Sequence, residues 1–235
     1  KFPLKKTKRS INLTLKDLLI FTRKNFVLRL MKINVFADTI CGWCFIGHKN
    51  LNKALKNFPN IKFDIRHIPF QLNPDMPTEG ILRDRYLEIK FGGKDYATPM
   101  YENMKLKANE SGIDLNLDKI KKTPNTVLSH LLIILSEQFN LQNEVKEKIY
   151  QSYFIDGLDI GDIDVLVDIA KENNIAENIF KEFINEKNIQ NVTSKILVAK
   201  EKNISGVPFF EIGKDFISGA QSSIQLENTI KSNLN

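Results

Sequence analysis

Cys41 and Cys44, the only two cysteines in the chain, stand as Cys41-Gly42-Trp43-Cys44. They lie between an apolar run, Ile33-Asn34-Val35-Phe36-Ala37, and a segment of helical periodicity beginning at Phe45. Two thiols at this spacing, where a strand runs into a helix, are arranged for dithiol redox chemistry. The first sulfur lies at a helix N-terminus, where unpaired N–H groups and the positive end of the dipole favour thiolate over thiol. The second lies one turn on, close enough to close a small disulfide ring. Two other uses of such a pair stand beside this one. Half of a structural zinc site would need two more ligands, and only His48, His67 and His130 are available, with no second cysteine pair and no His-x-x-x-His. Two incidental buried cysteines would not require the strand-to-helix setting.

The elements that must hold the pair follow from periodicity. Residues 32–37 read as a short buried strand, Asp38-Thr39-Ile40 as a turn, and a helix opening at Cys41 runs to about residue 57. Phe45, Ile46, Leu51 and Leu55 line its apolar face. Residues 61–68 alternate apolar and polar, a half-buried strand, and strand–helix–strand with a short connection predicts a parallel pair with a right-handed crossover. Three prolines in Pro69-Phe70-Gln71-Leu72-Asn73-Pro74-Asp75-Met76-Pro77 exclude helix and central strand, leaving a shaped loop. Helical patterning then dominates residues 81–188, in segments 83–91, 96–111, 124–139, 142–154, 163–172 and 176–186, with Pro124 in a first turn and Asp162 as a start signal. A helix over about 190–203 leads to Ser205-Gly206-Val207-Pro208-Phe209-Phe210-Glu211-Ile212. Proline conflicts with a central ladder, and a cis Val207–Pro208 bond at the strand entrance resolves the conflict. Gly213-Lys214-Asp215 predicts a hairpin turn, 216–218 its second strand, and Ser222 or Ser223 the cap of a last helix.

The chain has 235 residues, 42% of them apolar, enough for one large domain or a core domain with an insertion. Its formal charge of +6 is unevenly spread. Residues 1–30 hold nine of the 34 Lys and Arg and one of the 28 acids, so residues 31–235 carry 25 bases against 27 acids, a formal −2. That body offers no basic face for nucleic acid. The run Leu18-Leu19-Ile20-Phe21 is too short for a membrane span or a secretory signal. The first residue is Lys, and Met31 stands just before the first strand, so we expect Met31 to be the start and residues 1–30 to lie outside the fold; an organellar presequence is the alternative. Two cysteines in one motif, without a disulfide framework, agree with a reducing cytoplasm.

Four stretches in order carry a resemblance: Asp38-Thr39-Ile40-Cys41-Gly42-Trp43-Cys44-Phe45-Ile46-Gly47, the proline-rich loop 69–77, Gly206-Val207-Pro208-Phe209-Phe210, and Ser218-Gly219-Ala220-Gln221. Together with the order of elements they resemble a thioredoxin fold of the DsbA type. Within it they resemble the FrnE-like oxidoreductases, relatives of 2-hydroxychromene-2-carboxylate isomerases and kappa-class glutathione transferases. The resemblance covers essentially all of residues 31–235. It implies an α/β fold with a central mixed four-stranded sheet, a thioredoxin-like domain from 31–78 and 188–235, and an inserted helical subdomain over 79–187. Gly42 departs from this branch, which more often has proline there, and the two residues between the cysteines tune the redox potential.

The resemblance also implies roles. Cys41 is the nucleophile or, when oxidised, the exposed half of the disulfide, and Cys44 resolves the mixed disulfide. Pro208 faces the pair across the site, Val207 offers its backbone to an extended substrate, and Trp43 forms an apolar rim. Gln71, Asn73, Asn125, Gly219 and Gln221 fall where relatives build a polar pocket, with loop-stabilising hydrogen bonds as the alternative. His48, four residues after Cys44, is either a proton relay or a partly exposed helix residue, while His67 and His130 read as strand-end and helix-face residues. The expected activity is thiol:disulfide exchange without metal or bound cofactor, on protein or small-molecule thiols and disulfides. Glutathione is a candidate redox partner or co-substrate, and a homodimer is compatible with the family. A glutathione-dependent isomerase or transferase competes, although such relatives typically carry serine in place of the first cysteine. So does a chaperone-like binding module built on the apolar surface near Trp43.

Overall fold

The computed structural model describes residues 29–234, so the expectation for the basic N-terminal stretch lies, for residues 1–28, outside the described residues. A four-stranded mixed sheet holds the order β2-β1-β5-β6, formed by β1 (Arg29–Ala37), β2 (Ile61–Pro69), β5 (Phe209–Ile212) and β6 (Asp215–Ser218). β1 pairs parallel with β2, Val35 opposite His67, and antiparallel with β5, Val35 opposite Phe210; β5 and β6 form the expected hairpin. The parallel pair is joined through α1 (Gly42–Leu55). β1 begins three residues earlier than the sequence reading, because the backbones of Arg29, Leu30 and Met31 continue the ladder opposite Ile61, Lys62 and Phe63, so Arg29 and Leu30, expected outside the fold, belong to its first strand.

β1 buries one face along its length and the other at its C-terminal end, where Lys32 is exposed and Asn34 half-buried before Phe36. Met31, Ile33 and Val35 enter the main core, whereas Phe36, on the opposite face, packs with Ala199 and Ile204. Ala199 belongs to α8 (Glu186–Glu201), which starts earlier than its periodicity suggests because Asn185 caps it, the side chain accepting from the Asn188 N–H. The main core takes residues from α3 (Lys94–Glu110), α4 (Val127–Glu137), α5 (Gln142–Phe154), α6 (Ile163–Glu172), α7 (Glu177–Phe183) and the C-terminal α9 (Ser223–Ser232), while α2 (Arg83–Phe91) packs Tyr86 and Leu87 into a separate cluster with Met76 and Ala97. Asp162 caps α6 and Ser222 caps α9.

Two further features depart from the sequence expectation. Pro124 precedes α4 rather than opening it, since the Asn125 side chain takes the Val127 N–H at 3.0 Å and sets the first turn there. A two-stranded ladder also joins β3 (Ile81–Leu82) to β4 (Lys122–Thr123), too short to leave a periodic signal. Among the described residues no helix is long and apolar enough to cross a membrane, and no group of three or more His, Cys, Asp or Glu is placed to hold a metal.

The helices between β2 and β5 reach α1 through aromatic packing. Phe45, one residue after Cys44, stacks on Tyr150 at a centroid distance of 5.1 Å and on Phe154 at 6.1 Å, and is 1% exposed. Phe45→Ala is expected to cost about 3–5 kcal/mol, the usual range for emptying a buried phenylalanine site, read as a lower urea midpoint at unchanged m-value.

Candidate active site

Cys41 is the N-cap of α1, in extended conformation at φ −95°, ψ 106°. Its sulfur accepts the Cys44 N–H at 3.2 Å, and its carbonyl accepts the N–H groups of Cys44 and Phe45 at 2.9 and 3.2 Å. Donors left without partners at a helix start thus converge on the atoms of one cysteine. Both cysteines are free thiols. Cys41 is not an exposed residue as expected: it is 5% exposed against 1% for Cys44. Its cover comes from the other side of the site, where its thiol donates to the Val207 carbonyl at 3.6 Å.

The Val207–Pro208 peptide is cis. α1 approaches this turn closely at Gly47, where a Cβ would stand 3.1 Å from Pro208 Cγ and 3.1 Å from Phe210 Cζ. At Gly42 a Cβ would stand 2.2 Å from Met104 Sδ of α3. The glycine that departs from the family pattern is therefore matched by a methionine filling the space of its missing side chain.

The remaining sequence-predicted residues fall into two groups. Gly219, at φ 83°, donates its N–H to the Pro208 carbonyl at 2.8 Å, and the Gln221 carbonyl accepts from Asn50 of α1 at 2.8 Å while its side chain returns to Ser218 O at 2.7 Å. Both brace the cis-proline turn against α1. Gln71, Asn73 and Asn125 brace the proline-rich loop instead. Gln71 reaches Thr126 Oγ1 at 3.4 Å, Asn73 reaches the Tyr86 hydroxyl at 3.5 Å and accepts from Lys90 at 3.3 Å, and Asn125 donates to Met76 O at 2.7 Å. Trp43 is half-buried against the main core.

Behind the cysteines lies a polar cluster that the sequence reading did not single out. Asp38 is fully buried; its Oδ2 accepts the Leu72 N–H at 2.8 Å, and its Oδ1 lies 3.4 Å from His130 Nε2, which itself bonds Phe70 O at 3.0 Å. Lys146 of α5, 2% exposed, donates to His67 Nδ1 at 2.8 Å. His67 and His130 are thus linked into this cluster rather than simple strand-end and helix-face residues. The signal for Lys146 is its spacing, since it precedes Ile149, Tyr150 and Tyr153 by three, four and seven positions and so shares their buried stripe. Burial pushes the Cys44 thiol well above its usual range, with the hydrogen bond and charge of Cys41 adding to the rise. Burial likewise pushes the Tyr150 hydroxyl up.

His48 is buried at 2%, not partly exposed, and its Nε2 donates to Glu147 Oε2 at 3.2 Å. Desolvation lowers it from 6.5 to about 4, against the opposing pull of Glu147. The hydrogen bond from His48 leads the causes that hold Glu147 down at about 2.

The family model of the DSBA-like thioredoxin domain matches residues 32–231. Uncharacterized protein YwbO of Bacillus subtilis (strain 168) is 26% identical over 200 residues, 84% of this chain and 94% of YwbO. Among solved structures, probable DsbA oxidoreductase SCO1869 from Streptomyces coelicolor aligns with TM-score 0.77 at 21% identity, covering 87% of this chain and 90% of that one. Cytosolic disulfide reductase DsbM from Pseudomonas aeruginosa with GSH aligns with TM-score 0.61 at 14% identity, covering 86% and 96%. At these identities the two structures speak for the fold.

Two outcomes follow from the geometry. Between pH 6.5 and about 4 the unfolded chain binds a proton at position 48 that the folded chain refuses. Stability is therefore full above pH 6.5 and falls as pH drops through that window, by up to roughly 3 kcal/mol from this group. Urea midpoints should fall less steeply with acid in His48→Gln than in the parent. Gly42→Ala should cost about 1–3 kcal/mol by overpacking against Met104, and adding Met104→Ala should recover part of that loss in a double-mutant cycle.

Proposed function

Because the chain belongs to the family of DsbA-like thioredoxin domains, we propose that it is a thiol:disulfide oxidoreductase that exchanges a Cys41/Cys44 disulfide with substrate thiols through a mixed disulfide. The observation that carries this reading is the placement of Cys41. Its sulfur sits at the N-cap of a 14-residue helix, receives the Cys44 N–H at 3.2 Å and meets the backbone just before Pro208. Negative charge arriving at that sulfur finds a donor and the positive end of a helix already in place.

In the oxidising direction, a substrate thiolate attacks Cys41 Sγ of the disulfide. A substrate–Cys41 S–S bond forms, the Cys41–Cys44 bond breaks, and Cys44 leaves as a thiolate that takes up a proton. A second substrate thiolate then attacks the substrate sulfur, forming the substrate disulfide and releasing Cys41 as a thiolate. Two electrons pass from substrate to the dithiol. Reduction runs the same steps backwards, with Cys44 attacking Cys41 Sγ of the mixed disulfide. Deprotonation of Cys41 removes the donor now on Val207 O, leaving that carbonyl open to the N–H of an extended substrate, and Trp43, half-buried on α1, offers apolar surface. The substrates are thiol- or disulfide-bearing proteins or small molecules. Glutathione as redox partner is supported by the likeness to a structure determined with GSH, and the cytoplasm is the compartment that the sparse cysteine content suits.

The test is an equilibrium titration in glutathione buffers followed by the fluorescence of Trp43, the single tryptophan. A reversible two-electron transition is expected, abolished in Cys41→Ser, while Cys44→Ser accumulates a mixed disulfide at Cys41. If no intramolecular disulfide forms across the range, the oxidoreductase reading fails and a glutathione-dependent enzyme or a binding module takes its place.

A further inference from the structure

Asp38 Oδ1 is an orphaned atom. The residue is fully buried, and among the described residues this oxygen is the buried side-chain polar atom that has no hydrogen-bond partner. The other carboxylate oxygen is satisfied, Oδ2 accepting the Leu72 N–H at 2.8 Å. One neighbouring donor does not serve Oδ1. His130 Nε2 stands 3.4 Å away, but the same nitrogen lies 3.0 Å from Phe70 O. A carbonyl oxygen only accepts, so the Nε2 proton is committed there. A buried carboxylate oxygen without a donor is costly, and native interiors supply one from the protein or from an internal water.

Lys146 of α5 presents the complementary defect. It is 2% exposed, and among the described residues its ammonium makes no ion pair with a carboxylate. One of its three N–H groups goes to His67 Nδ1 at 2.8 Å, a neutral acceptor, and the Tyr150 ring 5.8 Å away supplies a π-face. A donor is left over. Asp38 and Lys146 line one chamber of about 10 Å³, together with Thr39, His67, His130 and Tyr150. Charge and size decide what fits it. Lys146 excludes a cation and Asp38 an anion, and the volume admits one water. Water also matches both defects at once, since it accepts from an ammonium and donates to a carboxylate. Its second O–H has acceptors on the same wall. The Ser129 hydroxyl gives its proton to Thr126 O at 2.9 Å, so in the 2.8 Å contact of Thr39 with Ser129 it is Thr39 that donates, and Thr39 Oγ1 keeps its lone pairs. The Tyr150 hydroxyl, which donates to Asp38 O, keeps its own as well.

We propose that this chamber is the site of one ordered internal water, which donates to Asp38 Oδ1 and accepts from the Lys146 ammonium, joining the two as a water-bridged ion pair. The inference goes beyond the oxidoreductase reading and stands independently of it. The bridge secures the turn that leads into α1. Asp38 O accepts the Cys41 N–H at 3.2 Å and the Tyr150 hydroxyl at 3.4 Å, and Asp38 Oδ2 holds the proline-rich loop through Leu72. On the far side of the water, Lys146 is anchored on His67 of β2. One molecule thus completes a polar connection from α5 and β2 to the residue whose backbone receives Cys41. It also resolves two burial costs together, because a carboxylate and an ammonium taken out of water are tolerated only when their remaining donors and acceptors are met.

The first test is a high-resolution crystal structure of the parent protein. The expected result is a single water peak at hydrogen-bonding distance, about 2.7–3.2 Å, from both Asp38 Oδ1 and Lys146 Nζ. No peak in the chamber, or Asp38 Oδ1 bonded directly to Lys146 or His130, would overturn the proposal. The pairing is read separately in a double-mutant cycle of Asp38→Asn and Lys146→Met, followed by urea unfolding. Asparagine keeps an acceptor for the Leu72 N–H, and methionine keeps the apolar stem of the lysine. The double variant should lose less than the sum of the single losses, with a coupling of about tenfold in the unfolding constant. Losses that simply add would show that the two charges do not communicate and would overturn the bridge. Where a variant fails to fold, the density in the parent alone decides.

Discussion

The close approach of α1 to the entrance of β5 is the constraint on which the site depends. A helix normally keeps its neighbours at side-chain distance, yet at Gly47 the helix surface is bare, and Pro208 and Phe210 settle against it. That contact carries the Val207 carbonyl to the sulfur of Cys41, two turns earlier on the same helix. The braces around it, Gly219 on Pro208 and Gln221 on Asn50, hold the turn from behind. A bulkier residue at position 47 would separate the two halves of the site even with both cysteines intact.

The helices between β2 and β5 do more than cover the sheet. α3 brings Met104 into the space beside Gly42, and α5 stacks Tyr150 and Phe154 on Phe45, the residue after Cys44. Positions 42 and 104 therefore behave as one packing unit, and the surroundings of the motif are set by α3 and α5 as well as by the strand and helix that carry it. His48 illustrates the same control from the other side. Its placement between α1 and α5 turns a residue near the cysteines into a neutral hydrogen-bond donor to Glu147.

Sequence alone determined the strand, the Cys-x-x-Cys helix, the parallel second strand, the hairpin, the cap at Asp162 and, to within Ser222 or Ser223, that of the last helix, because each rests on local periodicity or on a backbone preference of its own residues. The family was legible in four short stretches for the same reason: each is contiguous. Tertiary structure decided the rest. Burial of Cys41 depends on Val207, 166 positions away. The ladder of Ile81–Leu82 with Lys122–Thr123 forms only once the intervening helices fold back. Lys146 shares the buried stripe of Ile149, Tyr150 and Tyr153, but nothing along the chain could say that its ammonium would meet His67 of β2. A charge acquires its meaning from the dielectric and partners around it, and those are fixed by elements distant in sequence.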